Sequence, residues 1–161
     1  SASGLPTDRF YFAGFLPRKG ASRERELSLL KRLGATLVIY ESPERLGATL
    51  RELCELFGDR RAVVARELTK LHEEFARGRL SELSERFAGE VRGEITLLVE
   101  GMPEEQAEAA GDEAILAEVE RRLGAGEGSV KEIAREIAAA TGRPRSEVYA
   151  LALRVREKSQ S

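Results

Sequence analysis

TLVIYESPERL, residues 36–46, is the stretch that decides the fold of this 161-residue chain. It opens with a short apolar run rich in β-branched residues, which predicts a buried strand. Ser42 and Pro43 then supply a helix N-cap and a first helical residue. We expect that helix to end at Gly58 and to bury one apolar face, which comprises Leu46, Leu50, Leu53, Cys54 and Phe57. A strand followed at once by a helix indicates an α/β layer.

The segments on either side continue this alternation. Before the central stretch, Ser22 is expected to cap a helix with leucines at helical spacing, and Gly34 to stop it. After it, four more elements are expected: buried strands at 62–65 and 95–99, a short strand around 73–77, and a short helix from 81 to 87. We therefore predict an α/β fold with a mixed β-sheet covered by helices, spanning residues 1–103.

The composition changes near Pro103. Residues 104–111 are rich in Glu, Ala and Gly and are predicted to be a linker. Residues 112–161 predict a small three-helix, helix-turn-helix-like domain, because three amphipathic segments follow one another with short connections. The second of these segments opens with a capping box formed by Ser129 and Glu132.

Charge and composition exclude several classes of protein. The net charge is −2, so a strongly basic nucleic-acid surface is excluded and any RNA contact must be local. No apolar run or leader predicts a membrane segment, and Cys54 is the one cysteine, which excludes an internal disulfide. His72 is the one histidine, which argues against a His-rich metal site and predicts a place on a polar loop. These features are typical of a cytoplasmic protein.

Polar residues mark the ends of the three predicted buried strands. Tyr40 and Glu41 end the first strand, Glu67 and the residues after it follow the second, and Glu94 precedes the third. Ligands of open α/β sheets bind where strands end and loops point polar groups outward. Together these segments predict one sheet edge lined for a ligand.

Residues 12–20, FAGFLPRKG, admit two interpretations. Their glycines and proline predict a shaped loop, from which Arg18, Lys19, Arg23 and Arg25 would meet a phosphate backbone. The plainer interpretation is a turn that leads into a solvated, charged helix. The spacing alone favours the plainer interpretation.

Four motifs carry a resemblance to a known family: FAGFLPRKG, LVIYESPERL, VVARELTKLHEEFARG and GEITLLVEG. In this order they resemble the second half of the ribosomal RNA small subunit methyltransferase I family, within the tetrapyrrole methylase superfamily. The resemblance covers residues 4–101 almost without a gap. The tail, SVKEIAREIAAATGRPRSEVYALAL, is similar to the small carboxy-terminal domain of that family.

The resemblance implies an activity and its partners. The implied activity is methyl transfer from S-adenosylmethionine to the 2′-hydroxyl of a cytidine in 16S ribosomal RNA. The implied enzyme is a homodimer, and its cofactor lies between two α/β domains. The amino-terminal one of those domains, with its glycine-rich element, is not visible in this sequence. The chain also opens with Ser1 rather than Met. We therefore expect a carboxy-terminal portion that is inactive alone.

The resemblance also implies site residues. The cofactor cleft is expected to be lined from Tyr40, Glu41, Glu67, Leu68 and Thr69, with the backbone of Glu94 and Ile95 near the adenine. Arg18, Lys19 and Arg23 are expected near RNA phosphates, and no catalytic base is assigned.

Two non-catalytic alternatives remain open. The helix-turn-helix would bind nucleic acid through Arg143, Arg145, Arg154 and Arg156, with affinity that falls steeply with salt. The chain would otherwise serve chiefly as a dimerisation element.

Overall fold

The computed structural model describes residues 2–159, and the chain divides into two compact units, Ser1–Glu104 and Glu105–Ser161. The first unit is α/β and the second is helical, so the predicted fold class is confirmed. No helix within residues 2–159 is long and apolar enough to cross a bilayer.

The α/β unit is a five-stranded mixed sheet in the order β1-β2-β5-β3-β4. β1 runs parallel to β2, whereas β2–β5, β5–β3 and β3–β4 are antiparallel pairs. The strands are β1 Phe10–Phe15, β2 Thr36–Glu41, β3 Arg61–Arg66, β4 Glu74–Arg79 and β5 Ile95–Val99. The helices are α1 Gly20–Lys31, α2 Leu46–Phe57 and α3 Leu80–Arg86, and a 3-10 turn spans Pro43–Arg45.

The core lies between one face of the sheet and these helices. Leu37 and Ile39 of β2 and Leu97 of β5 are fully buried against it. The leucine face predicted for α2 is buried there too, and the helix ends at Gly58 as predicted. Each fully buried aliphatic side chain contributes about 1.5–3 kcal/mol through removal from water. This packing fixes β2 and β5, and therefore the ends of both strands.

Residues 10–15 form strand β1, so the prediction of a loop from residue 12 was wrong over its first part. The strand lies at the edge of the sheet, and its pairing register with β2 shifts between Phe12 and Gly14. Most of its side chains are exposed, which removes the alternation of buried and exposed positions that identifies a strand in a sequence.

The two predicted helix starts also differ from the structure. α1 begins at Gly20 after Lys19, so Ser22 lies inside the helix rather than capping it, and the helix ends before Gly34. Ser42 precedes the turn before α2, but its hydroxyl accepts from Arg45 Nε at 3.1 Å instead of bonding a helical N–H.

The helical unit consists of α4 Glu104–Gly124, α5 Val130–Thr141 and α6 Arg145–Ser159. Residues 104–111, predicted to be a linker, are helical because their glutamates and alanines are strong helix formers. The capping box of Ser129 and Glu132 is confirmed. The core of this unit contains Val119, Ile133 and Val148.

Candidate functional site

The sheet topology brings the predicted polar segments together at one edge of the sheet, by which we mean the side where β1, β2 and β3 end and β5 begins. Ile95, the first residue of β5, pairs with Glu41 at the end of β2 and with Arg66 at the end of β3. Because β1 is parallel to β2, Phe15 ends at the same edge and pairs with Tyr40. The expectation that these segments share an edge is confirmed.

A cleft of about 490 Å³ opens at this edge. This volume lies within the range of small-molecule sites in proteins. Five residues predicted to bind a cofactor contribute to its walls, namely Tyr40, Glu41, Leu68, Glu94 and Ile95. Phe15, Ser42, Pro43, Gly93 and Thr96 complete the lining. The cleft is therefore largely apolar, with polar backbone at its rim.

Tyr40 forms part of an aromatic group on the β1 side of the cleft. Its ring centroid lies 5.1 Å from that of Phe12, edge to face, and 5.6 Å from that of Phe15. Tyr40 remains 40% exposed, so its phenol face is open to a ligand.

Glu41 is only 3% exposed, and its carboxylate is fully bonded inside the protein. Oε1 accepts from Ser42 N at 2.8 Å and pairs with Arg45 Nη2 at 3.0 Å, and Oε2 accepts from Thr49 Oγ1 at 2.7 Å. A carboxylate with these partners is not free to bind a cofactor. Its side chain fixes the turn between β2 and α2, and the cofactor contact predicted for Glu41 stays a prediction.

The loop after β3 has an unusual backbone. Glu67 and Thr69 both have positive φ, 52° and 64°, which side chains rarely adopt outside functional or tightly held segments. Glu67 N donates to Glu94 O at 3.0 Å, and Glu94 N donates to Glu67 Oε1 at 2.7 Å. Thr69 N donates to Glu73 Oε2 at 2.8 Å. These bonds hold the loop and place Leu68 at the cleft.

Gly93 permits the close approach of the two loops. Its φ is +95°, and a Cβ there would overlap the carboxylate of Glu67. Arg66 adds a second connection, because its Nη2 donates to Arg92 O at 3.0 Å. The rim on the β3–β5 side is thus tied together by backbone and side-chain bonds.

A charged group stands on this rim. Lys70 Nζ lies 3.2 Å from both Glu67 Oε2 and Glu94 Oε2. The hydrogen bond from Glu94 N–H, together with Lys70, lowers the pKa of Glu67 below its ordinary value. The bonds to Glu67 and Glu94 raise the pKa of Lys70. Glu67 and Lys70 therefore stay ionised at neutral pH.

Comparison with known proteins assigns the chain to a family. The profile described as Tetrapyrrole (Corrin/Porphyrin) Methylases matches residues 1–84, more than half of the chain. The chain belongs to the tetrapyrrole methylase family.

Its curated relatives carry the name that the resemblance predicted. The ribosomal RNA small subunit methyltransferase I of Micromonospora olivasterospora is 45% identical over 152 residues, covering 91% of this chain and 47% of that protein. The Bacillus subtilis protein of the same name is 40% identical over 154 residues, covering 92% and 52%. The solved Uroporphyrin III C-methyl transferase of Thermus thermophilus aligns with a TM-score of 0.46 and 23% identity, covering 62% and 45%. The chain spans about half the length of the curated relatives it matches.

The predicted RNA-binding cations of this methylase chain fall into two groups. Arg18 and Lys19 are exposed at the connection between β1 and α1. Arg23 is largely buried: its Nη2 pairs with Glu52 Oε2 at 2.5 Å, and its Nη1 donates to Pro17 O at 2.8 Å. The structure therefore leaves Arg18 and Lys19 available for phosphates, while Arg23 braces the connection from within.

Of the four arginines predicted to bind nucleic acid in the helical unit, Arg143 is paired with carboxylates. Arg143 Nη1 lies 2.8 Å from Asp112 Oδ1, and its Nη2 lies 3.1 Å from Glu147 Oε2. Arg145 is exposed. Arg154 and Arg156 are exposed as well, so the alternative of a nucleic-acid-binding module built on this unit stays a prediction.

Sequence reasoning missed two residues at or beside the cleft. Phe15 lines the cleft from β1, and the run Phe10-Tyr11-Phe12 was a usable signal because aromatics favour strands. Arg45, to which sequence reasoning gave no role, pairs with Glu41 in the turn between β2 and α2. His72 is exposed in the loop before β4, as predicted. Within residues 2–159, no group of three acidic, His or Cys side chains is arranged to hold a metal ion.

Proposed function

We propose that this chain forms the carboxy-terminal wall of an S-adenosylmethionine site in a cytoplasmic, homodimeric methyltransferase. Its substrate is the 2′-hydroxyl of a cytidine in 16S ribosomal RNA. An amino-terminal domain of the same polypeptide would supply the opposite wall. The observation that carries the proposal is the cleft at the sheet edge, together with relatives that are named ribosomal RNA small subunit methyltransferase I.

The lining of the cleft fits this cofactor. Leu68 and Ile95 offer apolar side chains on either side of the β3–β5 edge, where an adenine ring would be shielded from water. The backbone at Glu94 stands at the rim beside them. An apolar slot with polar backbone at its border is the ordinary form of a nucleoside site.

The residues of this chain contribute position rather than acid–base chemistry. The cofactor supplies an electrophilic methyl group, and the attacking hydroxyl must approach it in line. The Glu67–Lys70–Glu94 group and Gly93 keep the rim rigid, so that Leu68 holds one place. Holding reactants in a fixed geometry removes much of the entropic part of a barrier. No residue of this chain is assigned the removal of the hydroxyl proton.

Methylation of small ribosomal subunits tests the proposed reaction. The longer polypeptide that includes the amino-terminal domain is incubated with labelled S-adenosylmethionine and unmodified subunits. Nuclease digestion should release 2′-O-methylcytidine. Label on a base carbon or nitrogen would overturn the ribose assignment.

Calorimetry with matched variants tests the cleft. Leu68→Asp places a charge in the apolar lining and should weaken cofactor binding by the longer polypeptide at least tenfold. Leu71→Asp is the control, because Leu71 lies on the same loop, is 93% exposed and does not line the cleft. Equal affinities for the two variants would contradict the proposed site. The present chain alone is expected to bind weakly or not at all.

A further inference from the structure

An exposed aromatic surface lies beside the cleft. Phe15 is 65% exposed at the end of edge strand β1. Phe12, three residues earlier on the same strand, is also exposed. Tyr40 contacts both rings from the neighbouring strand. Large aromatic side chains seldom stay this exposed unless a partner covers them.

The same phenylalanine also lines a second, basic pocket. This pocket has a volume of about 510 Å³, and its walls include Phe15, Arg18 and Arg45, with Glu44 as the one carboxylate. Arg45 Nη2 is engaged by Glu41, whereas Nη1 has no hydrogen-bond partner in the part of the chain that the structure describes. Phe15 therefore stands between the cleft and a pocket that presents guanidinium groups.

We infer that Phe15, backed by Tyr40, is a stacking platform for one unpaired RNA base, whose neighbouring phosphate is held by Arg18 and Lys19. The inference rests on the proposed function and specifies how the substrate enters. A base on Phe15 lies directly beside the cleft that would hold the methyl donor.

Single-stranded RNA fits this surface better than other partners do. Aromatic faces beside cations are how proteins bind unpaired nucleotides, because bases stack on the rings while Lys and Arg meet the backbone. A second copy of the chain would bring the same cations together at this surface, where like charges repel. A paired helix keeps its bases stacked and offers none to Phe15.

A fluorescent reporter tests the platform directly, because the chain contains no tryptophan. F15W places the sole indole at the proposed platform and preserves its ability to stack. F10W is the control, since Phe10 is 69% exposed at the other end of the same strand and lines neither pocket. A 12-nucleotide single-stranded RNA should quench F15W at saturation and leave F10W nearly unchanged. A duplex of the same sequence should bind at least tenfold more weakly.

Removal of the cations tests the phosphate contact. The double variant R18A/K19A should weaken single-stranded RNA binding about tenfold. It should also reduce the slope of log affinity against log salt by about 1.4, because each contact on a single strand contributes about 0.7. R32A removes one exposed cation beyond the other end of α1 and should leave the slope unchanged. F15A should weaken binding about tenfold through lost stacking.

Several results would overturn the inference. Two concern the reporter: F10W and F15W are quenched equally, or F15W is not quenched by RNA that anisotropy shows to be bound. Two concern affinity: the duplex binds as tightly as the single strand, or no RNA binds at low salt. A blue shift of F15W that grows with protein concentration in the absence of RNA would show that a second copy covers Phe15.

Failure of this inference is distinguishable from failure of the proposed function. If the longer polypeptide methylates 16S RNA and F15A leaves its KM for small subunits unchanged, the platform falls and the function stands. If it transfers no methyl group while F15W still responds to single-stranded RNA as described, the function falls and the platform stands.

Discussion

Two glutamates at strand ends, Glu41 after β2 and Glu67 after β3, have the same appearance in the sequence and opposite surroundings in the structure. Glu41 is sealed beneath the start of α2, with both carboxylate oxygens bonded to protein groups. Glu67 stands half-buried at the rim, bonded to a loop amide and to an exposed lysine. Both follow a buried strand and precede a turn.

The difference separates a residue that stabilises the fold from a residue that only positions a loop at the rim of the cleft. A buried carboxylate cannot lose a partner without leaving another polar group unsatisfied, so Glu41 is a structural requirement of the β2–α2 turn. A half-buried carboxylate at the rim exchanges its partners with water at lower cost, so Glu67 positions a loop without carrying the fold. Four measurements would break or sharpen this contrast.

Loss of Glu41 should have the largest effect. Glu41→Ala leaves Arg45 and Thr49 without their acceptor in a buried place, and should reduce the free energy of unfolding by about 3 kcal/mol. Glu44→Ala removes an exposed glutamate of the same turn and serves as the control. Urea unfolding followed by circular dichroism measures both. Equal midpoints for the two variants would show that burial does not separate these residues.

A methyl group at Gly93 should have the next largest effect. Gly93→Ala imposes a side chain on a backbone with φ of +95° and displaces the Glu67 carboxylate. It should lower stability by about 1–2 kcal/mol, as strained positive-φ substitutions do. Gly89→Ala is the control, because nothing lies within 4 Å of the added carbon. Equal thermal midpoints for the two variants would show that the fold does not depend on the close approach of Gly93 to Glu67.

Removal of Lys70 should change stability least. Lys70→Ala breaks two exposed ion pairs, and such pairs exchange readily with water. The urea midpoint should stay within experimental error of the wild type. Amide hydrogen exchange at Leu68 should nevertheless become faster, because the loop loses one of its holds. A loss of stability comparable to that of Glu41→Ala would show that Lys70 is needed to stabilise the fold.

The fourth measurement follows the ionisation of Glu67 as the pH is lowered. The pKa of Glu67 is lowered from 4.5, chiefly by the Glu94 N–H, so its stabilising ionised form is complete above 4.5. That contribution is lost as pH falls through the lower, folded-state value. The amide resonance of Glu94 should titrate with a midpoint below 4.5 in the wild type and should not do so in Glu67→Gln. A midpoint above 4.5 would contradict the hydrogen bond.

The interior of the α/β unit was predictable because burial leaves a pattern. The runs at 36–40, 62–65 and 95–99 became β2, β3 and β5, and the leucines of α2 identified its buried face. Strand β1 was not recognised, since an exposed edge strand has no alternation to read. The linker prediction at 104–111 was wrong because helix propensity outweighed the single glycine in that segment.

The candidate site was predictable in its location but not in its chemistry. Strand ends identified the edge, because topology brings them together whatever the side chains do. The role of Arg23 depends on Glu52, 29 residues further along the chain, and that of Glu41 depends on how the turn before α2 folds back onto it; the hydrophobic pattern reveals neither. The close approach of Gly93 to Glu67 likewise exists only once β3 and β5 are paired.

Strand β5 comes last in the chain among the five strands and yet occupies the middle of the sheet. During synthesis, β1 with β2 and β3 with β4 emerge as two separate ribbons, and only the arrival of residues 95–99 joins them. Contacts so distant in sequence form slowly. The cleft is lined from β2 and β5, so it forms in the same step that completes the sheet.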